Sequence, residues 1–185
     1  MFVRLILVLL ACLVVAAGCS SDGDDAGPVA AESPGIEGLV LTDEDDISTA
    51  HRQGELSYPM VPPVGGDHNG FWQACGYYTV VVPTERAVHS MEHGAVWIAY
   101  SPDLDASVLA AQANNESHIL VSPVDDLPSA VVASAWGAQV QLDGLDDPRL
   151  QAFIELFIRQ GPEGAGCVRG GVGIAPEEVG PALDV

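Results

Sequence analysis

Residues 95–100, AVWIAY, constrain the fold most, because six consecutive residues are apolar or aromatic. A strand with one solvated face alternates apolar and polar residues, whereas a continuous apolar run leaves no face for water. Six residues also match the usual length of a strand rather than that of a helix. We therefore predict a central strand of a β-sheet at this position.

Shorter patterns predict the elements around this strand. β-branched and apolar runs bounded by glycine, proline or aspartate indicate further strands at 76–82 and 118–124, and one or two more over 130–136 and 138–142; the run at 36–41 is a candidate short edge strand. Helical spacing predicts helices over 85–92, from 101 to about 115, and from Pro148 to Gly161, the last with Asp147 at its start. The fold class is therefore α+β, with a mixed sheet of four to five strands and two to three helices on one face. A ferredoxin-like arrangement is one candidate topology.

The start of the chain predicts export. Arg4 precedes an apolar run at 5–17, which is too short for a stable membrane span, and small residues follow. The segment AAGC that ends at Cys19 resembles the lipobox of bacterial lipoproteins. This resemblance implies cleavage after residue 18 and acyl chains on Cys19, which anchor the protein to the cell membrane from outside the cytoplasm. The alternative is an ordinary secretory signal with a coincidental cysteine.

These features divide the chain into three parts. Residues 1–18 are expected to be a lipoprotein signal peptide. Residues 19–35, which are rich in Ser, Asp, Gly, Ala and Pro, cannot bury a core and are expected to be a flexible tether. Residues 36–185 have the length of a single α+β domain and end in a Gly- and Pro-rich, irregular tail.

The charge of the chain excludes one class of partner. Its formal net charge is −20, and its six basic residues are all arginine. Binding to nucleic acid or to an anionic lipid surface depends on positive charge, so neither is an expected partner. An acidic surface favours solubility and is also compatible with binding cations.

Two cysteines remain for the folded domain, Cys75 and Cys167. In an exported protein such a pair most simply forms one disulfide. The alternative is that a thiolate binds a metal ion, and the two roles exclude each other for a given sulfur atom.

The motif HSMEH places His89 and His93 one helical turn apart, with Glu92 between them. It matches H-x-x-E-H, a zinc-peptidase pattern in which the histidines bind zinc and the glutamate activates water. That chemistry needs a sustained helix and a third protein ligand. Gly94 ends the helix at once, so the zinc-dependent hydrolase is an alternative rather than the preferred function, and the chain is not expected to be an enzyme.

The preferred hypothesis is a non-enzymatic metal site for copper or zinc. Imidazoles suit both metals. Glu92 and Asp67 are expected to support the ligands, and Met91 offers a thioether that would favour Cu(I). The predicted metal ligands are His68, His89, His93, His51 and Met91. A third hypothesis is a structural or partner-binding lipoprotein in which the histidine cluster holds no metal, and His118 is expected to be structural in any case.

Three motifs occur in a fixed order: PPVGGDH, then CGYY, then HSMEHGAVW. Together they resemble the bacterial family of unknown function DUF3105, over about residues 55–158 and the late cysteine. Relatives often carry leucine in place of Met91, which weakens it as a ligand. The resemblance implies export and a single domain, and it offers no established activity. The matching residues are Pro62, Pro63, Gly66, His68, Cys75, Gly76, Tyr78, His89, Glu92, His93, Gly94 and Trp97.

Overall fold

A computed structural model describes residues 35–167 of the chain. The predicted signal peptide, Cys19, nearly all of the predicted tether and the end of the predicted tail lie outside the described residues. None of the helices within 35–167 is long and apolar enough to cross a membrane.

The described residues form one six-stranded mixed sheet with three α-helices. Two short 3-10 turns, Glu44–Asp46 and Ala106–Leu109, complete the regular structure. The strands are β1 (Val40–Leu41), β2 (Gly76–Tyr77), β3 (Val96–Tyr100), β4 (Ile119–Pro123), β5 (Val131–Ala135) and β6 (Ala138–Leu142). The helices are α1 (Thr84–Glu92), α2 (Ala110–Asn115) and α3 (Pro148–Phe157). The predicted α+β class, mixed sheet and helix number are confirmed.

The strand order is β1-β6-β5-β3-β4-β2. β3 and β4 are parallel, as are β4 and β2, whereas the other neighbouring pairs are antiparallel. The predicted count of four to five strands was too low. β1 and β2 are two-residue edge strands that lie within the segments predicted at 36–41 and 76–82, and their short length is set by how few of these residues pair with β6 and β4. The ferredoxin-like topology is not confirmed.

β3 is the central strand that the apolar run predicted, lying between β4 and β5. Val96, Ile98 and Tyr100 pack on one face of the sheet, with side chains from α2 and α3. Trp97 and Ala99 pack on the other face, with side chains from α1. The prediction that the helices lie on one face of the sheet was therefore wrong. β3 is apolar on both faces, so both faces must be shielded from water.

Several predicted boundaries shift for local reasons. The strand predicted at 76–82 stops at Tyr77, and Val80 and Val81 are each 48% exposed. The helix predicted from residue 101 begins later, because Leu104 N–H closes a turn on Ser101 O and the first helical turn is a 3-10 turn at Ala106–Leu109. α1 and β3 agree closely with their predicted ranges.

Cys75 and Cys167 lie at disulfide distance, with their sulfur atoms 2.05 Å apart. They are separated by 92 positions in sequence, so the bond closes most of the described chain into one loop. A loop of that length corresponds to roughly 4 kcal/mol of stabilisation in the chain-entropy model. Such a disulfide is typical of a compartment outside the cytoplasm.

The start of α3 yields the first prediction. Asp147 is the N-cap, accepting a hydrogen bond from Arg149 N–H, and it also pairs with the Arg149 guanidinium. We expect Asp147→Ala to lower the free energy of unfolding by about 1–2 kcal/mol in urea titrations at neutral pH. Asp143→Ala is the matched control, because that side chain is fully exposed and lies 3.8 Å from Arg149. Its effect should stay below about 0.5 kcal/mol.

The same pair predicts a pH dependence. Hydrogen bonds from Arg149 hold the pKa of Asp147 below its ordinary value of 3.8. A carboxyl whose pKa is depressed by folding stabilises the native state above the unfolded pKa and loses that contribution as pH falls. The stability difference between wild type and Asp147→Ala should therefore shrink from pH 7 to about pH 3. A difference that is independent of pH would contradict this assignment.

Candidate functional site

Four histidines and two glutamates meet where α1 is covered by two irregular segments. The first is the long loop at 48–70, and the second is the C-terminal segment at 159–167. Their ligating atoms form two overlapping groups, within each of which all the atoms lie inside 4.8 Å of one another. The inner group consists of His51, His68, His89 and Glu92, and the outer group consists of His89, His93 and Glu163.

The long loop brings His51 and His68 side by side. An isolated parallel bridge joins the two residues, with His68 N–H donating to Ala50 O and Arg52 N–H donating to His68 O. Asp67 reinforces the bridge by accepting hydrogen bonds from Ser48 Oγ and from Arg52 Nε. These contacts hold the pKa of Asp67 below its usual range. Asp67 thus holds together the two parts of the loop that carry His51 and His68.

Glycine lets this loop approach the sheet closely. Gly65 has a φ of 143°, and a Cβ there would lie 2.6 Å from Ile47 Cγ2. A larger residue would therefore push the loop away from Ile47 and from the Trp136 ring. His68 lies three residues later and is fully buried, with its ring 6.1 Å from that of Trp136.

Three of the imidazoles are oriented by backbone carbonyls. His68 Nδ1 lies 2.8 Å from Gly66 O, His89 Nδ1 lies 2.6 Å from Asn69 O, and His93 Nδ1 lies 3.3 Å from Gly166 O. A carbonyl oxygen can only accept a hydrogen bond, so each Nδ1 must carry the proton. In the neutral ring this leaves a lone pair on Nε2. Metal-binding histidines are commonly oriented in this way by their second nitrogen.

The inner group places acceptors against one another. His68 Nε2 lies 2.9 Å from Glu92 Oε2, although within residues 35–167 neither buried atom has a hydrogen-bond partner. When His68 Nε2 carries a proton the two atoms form an ion pair; when only Nδ1 is protonated, Nε2 and the carboxylate each present a lone pair to the other. His51 Nε2 lies 3.9 Å from the same oxygen, and the His51 ring stacks on His89 at 4.9 Å. Such an arrangement requires a proton or a cation between the atoms.

The outer group has similar geometry. The Nε2 atoms of His89 and His93 are 3.0 Å apart, and His93 Nε2 lies 3.1 Å from Glu163 Oε2. Two nitrogens bound tetrahedrally to one zinc ion are separated by about 3.3 Å, given bonds of about 2.05 Å. Glu163 is 45% exposed at its side chain, whereas His93 is 5% exposed.

His89, which belongs to both groups, is held neutral. Its pKa is lowered from 6.5 to about 4, chiefly by burial and in smaller part by the neighbouring histidines, while the hydrogen bond to Asn69 O acts in the opposite direction. A neutral imidazole is the form that binds metal ions.

The C-terminal segment delivers Glu163 by backbone contacts to the end of α1. Arg159 N–H donates to Gly94 O at 2.7 Å, and Glu163 N–H donates to Glu92 O at 3.2 Å. Gly161 fits so closely that a Cβ would lie 2.2 Å from Glu92 O. Sequence reasoning missed Glu163. The available signal was its position four residues before Cys167, the cysteine predicted to hold the tail.

The other predicted residues lie as follows. Met91 is fully buried in the hydrophobic cluster that α1 forms with the sheet. Glu92 was predicted to support the ligands, and it lies among the ligating atoms themselves.

His118 is apart from both groups, with its ring hydrogen-bonded to Ser117 Oγ and Ala165 O. The sulfur atom of Cys75 is bonded to Cys167 and is therefore no metal ligand.

The fold and the site define an α+β protein with a buried histidine–carboxylate cluster. A model of the family of proteins of unknown function DUF3105 matches residues 50–169, which is most of the chain and contains every residue of both groups. The chain therefore belongs to this family, as its three motifs indicated. No curated protein and no solved structure matches the chain.

The close fit at Gly161 yields a second prediction. We expect Gly161→Ala to lower the free energy of unfolding by about 1–3 kcal/mol, because its Cβ would collide with the backbone of Glu92 and Gly94. Limited proteolysis should then cut the C-terminal segment faster. Gly166→Ala is the matched control, since a Cβ there meets no atom within 4 Å. Equal stability of the two variants would show that the segment is not packed against α1.

Proposed function

We propose that this protein is an exported lipoprotein that binds one divalent transition-metal ion, zinc or copper, at the inner group. The observation that carries the proposal is the buried pair of His68 Nε2 and Glu92 Oε2, which lie 2.9 Å apart and form no hydrogen bond among residues 35–167. Burying an acceptor without a partner costs about 1–3 kcal/mol, and more for a charged group. A cation between the two atoms would remove that cost.

The donor set favours a divalent ion. Three imidazole nitrogens and one carboxylate oxygen suit Zn(II) and Cu(II), whereas Cu(I) prefers the softer sulfur ligands. Both of the sulfur candidates near the motif have other roles, Met91 in the hydrophobic core and Cys75 in the disulfide. The strongly acidic chain would also attract cations.

A binding role fits the site better than catalysis. A catalytic zinc keeps a position open for water and substrate, and a separate glutamate must be free to activate that water. Glu92 is 2% exposed and lies among the ligating atoms. Its use as a ligand would remove it as a general base.

The anchor is part of the proposal. Acyl chains on Cys19 would hold the domain at the outer side of the cell membrane, and residues 19–35 would act as the tether. The apolar run and the resemblance to a lipobox support this arrangement.

Metal titration tests the proposal. We expect the purified domain to bind one Zn(II) or Cu(II) with a Kd below micromolar. His89→Ala should weaken binding by more than about 100-fold, because the loss of an outer-shell partner alone costs about 10–100-fold. Isothermal titration calorimetry and metal analysis after dialysis provide the measurement.

The matched control is His118→Asn. His118 lies outside both groups and has a φ of 67°, a conformation that asparagine tolerates. This variant should bind the metal as wild type does. If wild type fails to bind either ion below micromolar, or if His89→Ala binds equally well, the metal site is wrong. The structural or partner-binding alternative would then stand.

The zinc-hydrolase alternative has one favourable observation. The Nε2 atoms of His89 and His93 are 3.0 Å apart, as the H-x-x-E-H pattern requires of two ligands. Glu92→Gln separates the two functions. We expect it to weaken metal binding by at least about tenfold, because it removes a charged ligand, and we expect no peptidase turnover in the zinc-loaded wild type. Turnover that disappears in Glu92→Gln while zinc stays bound would establish the hydrolase instead.

A further inference from the structure

His89 is the single residue that the inner and outer groups share, and Nε2 is its ring nitrogen with a lone pair for a cation. Its other ring nitrogen, Nδ1, donates to Asn69 O at 2.6 Å and has no lone pair to offer. One nitrogen lone pair binds one cation at a time. The two groups are therefore alternative positions for an ion rather than two halves of a two-metal centre.

We propose that the outer group is a second cation position, which takes up a divalent transition-metal ion from solvent and passes it to the inner group. This inference rests on the proposed function, since it requires that the inner group bind metal. It assigns to His93 and Glu163 a role in the rate of metal exchange.

The two positions differ in donor number and exposure. The inner group has four donors, of which His68, His89 and Glu92 are buried. The outer group has three donors, and its carboxylate on Glu163 is 45% exposed. More donors in a drier environment hold a cation more tightly, whereas an exposed carboxylate meets a hydrated ion first. The outer group is thus suited to uptake and the inner group to retention.

The shared atom gives a path between the positions. An ion bound to His93 and Glu163 can keep its bond to His89 while it exchanges those two ligands for Glu92 and His68. Because His89 belongs to both groups and stays bound throughout, the ion need not return to water during the exchange.

Backbone contacts and the disulfide, rather than the Glu163 carboxylate, hold the C-terminal segment against the cluster. Glu163 is fixed through its own backbone N–H to Glu92 O, and the disulfide at Cys167 holds the end of its segment. The Gly166 carbonyl, next to that cysteine, orients His93. Removing the carboxylate of Glu163 should therefore leave the inner donors in position.

His51 offers a competing route, because its side chain is 50% exposed and its ring belongs to the inner group. An ion that entered past His51 would reach the inner position without contact with Glu163. The experiment must therefore distinguish the two routes by rate.

Two tryptophans serve as separate reporters. The Trp72 ring lies 4.9 Å from His93, and the Trp136 ring lies 6.1 Å from His68. Bound Cu(II) quenches nearby indole fluorescence. Trp97 remains in both single-tryptophan replacements and gives a common background. In stopped-flow mixing with Cu(II), we expect the Trp72 signal, followed in Trp136→Phe, to fall before the Trp136 signal, followed in Trp72→Phe. Simultaneous quenching of both signals would contradict sequential occupation.

Glu163→Gln provides the decisive variant. We expect Cu(II) association and dissociation to slow together by about tenfold, because the ion enters and leaves through the outer position and the loss of its charge hinders passage in both directions without changing the inner donors. Glu155→Gln is the matched control, because it removes an exposed carboxylate on α3, outside both groups, and it should leave both rates unchanged.

Unchanged rates in Glu163→Gln would indicate uptake past His51 and overturn the inference. Faster dissociation with weaker affinity would also overturn it, since Glu163 would then be a ligand of the final bound state.

Failure of the proposed function gives a different result. If the cluster binds no metal, wild-type protein shows no quenching at either tryptophan, whichever residue stands at 163. Tight binding with rates insensitive to Glu163→Gln leaves the metal site intact and removes only the outer position.

Discussion

A carbonyl oxygen accepts hydrogen bonds and never donates them, and this constraint determines the histidine cluster. Backbone carbonyls from two different segments face the Nδ1 atoms of His68, His89 and His93. Each ring is thereby fixed in orientation and in tautomer, with Nε2 turned toward the others. The loop, α1 and the C-terminal segment must all hold their places for this to occur, so the geometry of the cluster depends on the whole fold.

The parts of the fold that follow from local chemistry could be predicted. An apolar run without a solvated face specifies a central strand, and Asp147 before Pro148 specifies a helix start. The parts that were missed depend on contacts between distant segments. β2 ends at Tyr77 although its apolar sequence continues, and α1 covers the second face of the sheet where none was predicted. Neither the end of β2 nor the face that α1 covers can be predicted from a window of ten residues.

The candidate site shows the same division. His68, His89 and His93 were singled out from spacing and motif. The structure groups His68 and His89 with His51, whereas His93 shares a group with His89 alone among the histidines. Glu163 was missed because it lies 70 positions after His93 and reaches it through a segment without regular structure. Glu92 was given a supporting role because helical spacing cannot say which neighbour its carboxylate faces.

α1 has an unusual property, since all seven residues from Arg86 to Glu92 are buried. A helix on a protein surface has a solvated side on which substitutions accumulate freely. α1 has no such side over these residues, because the sheet, the long loop and the C-terminal segment surround it. A substitution there must be matched by a change in a covering segment. Over evolutionary time, the helix and its covers are therefore constrained to vary together.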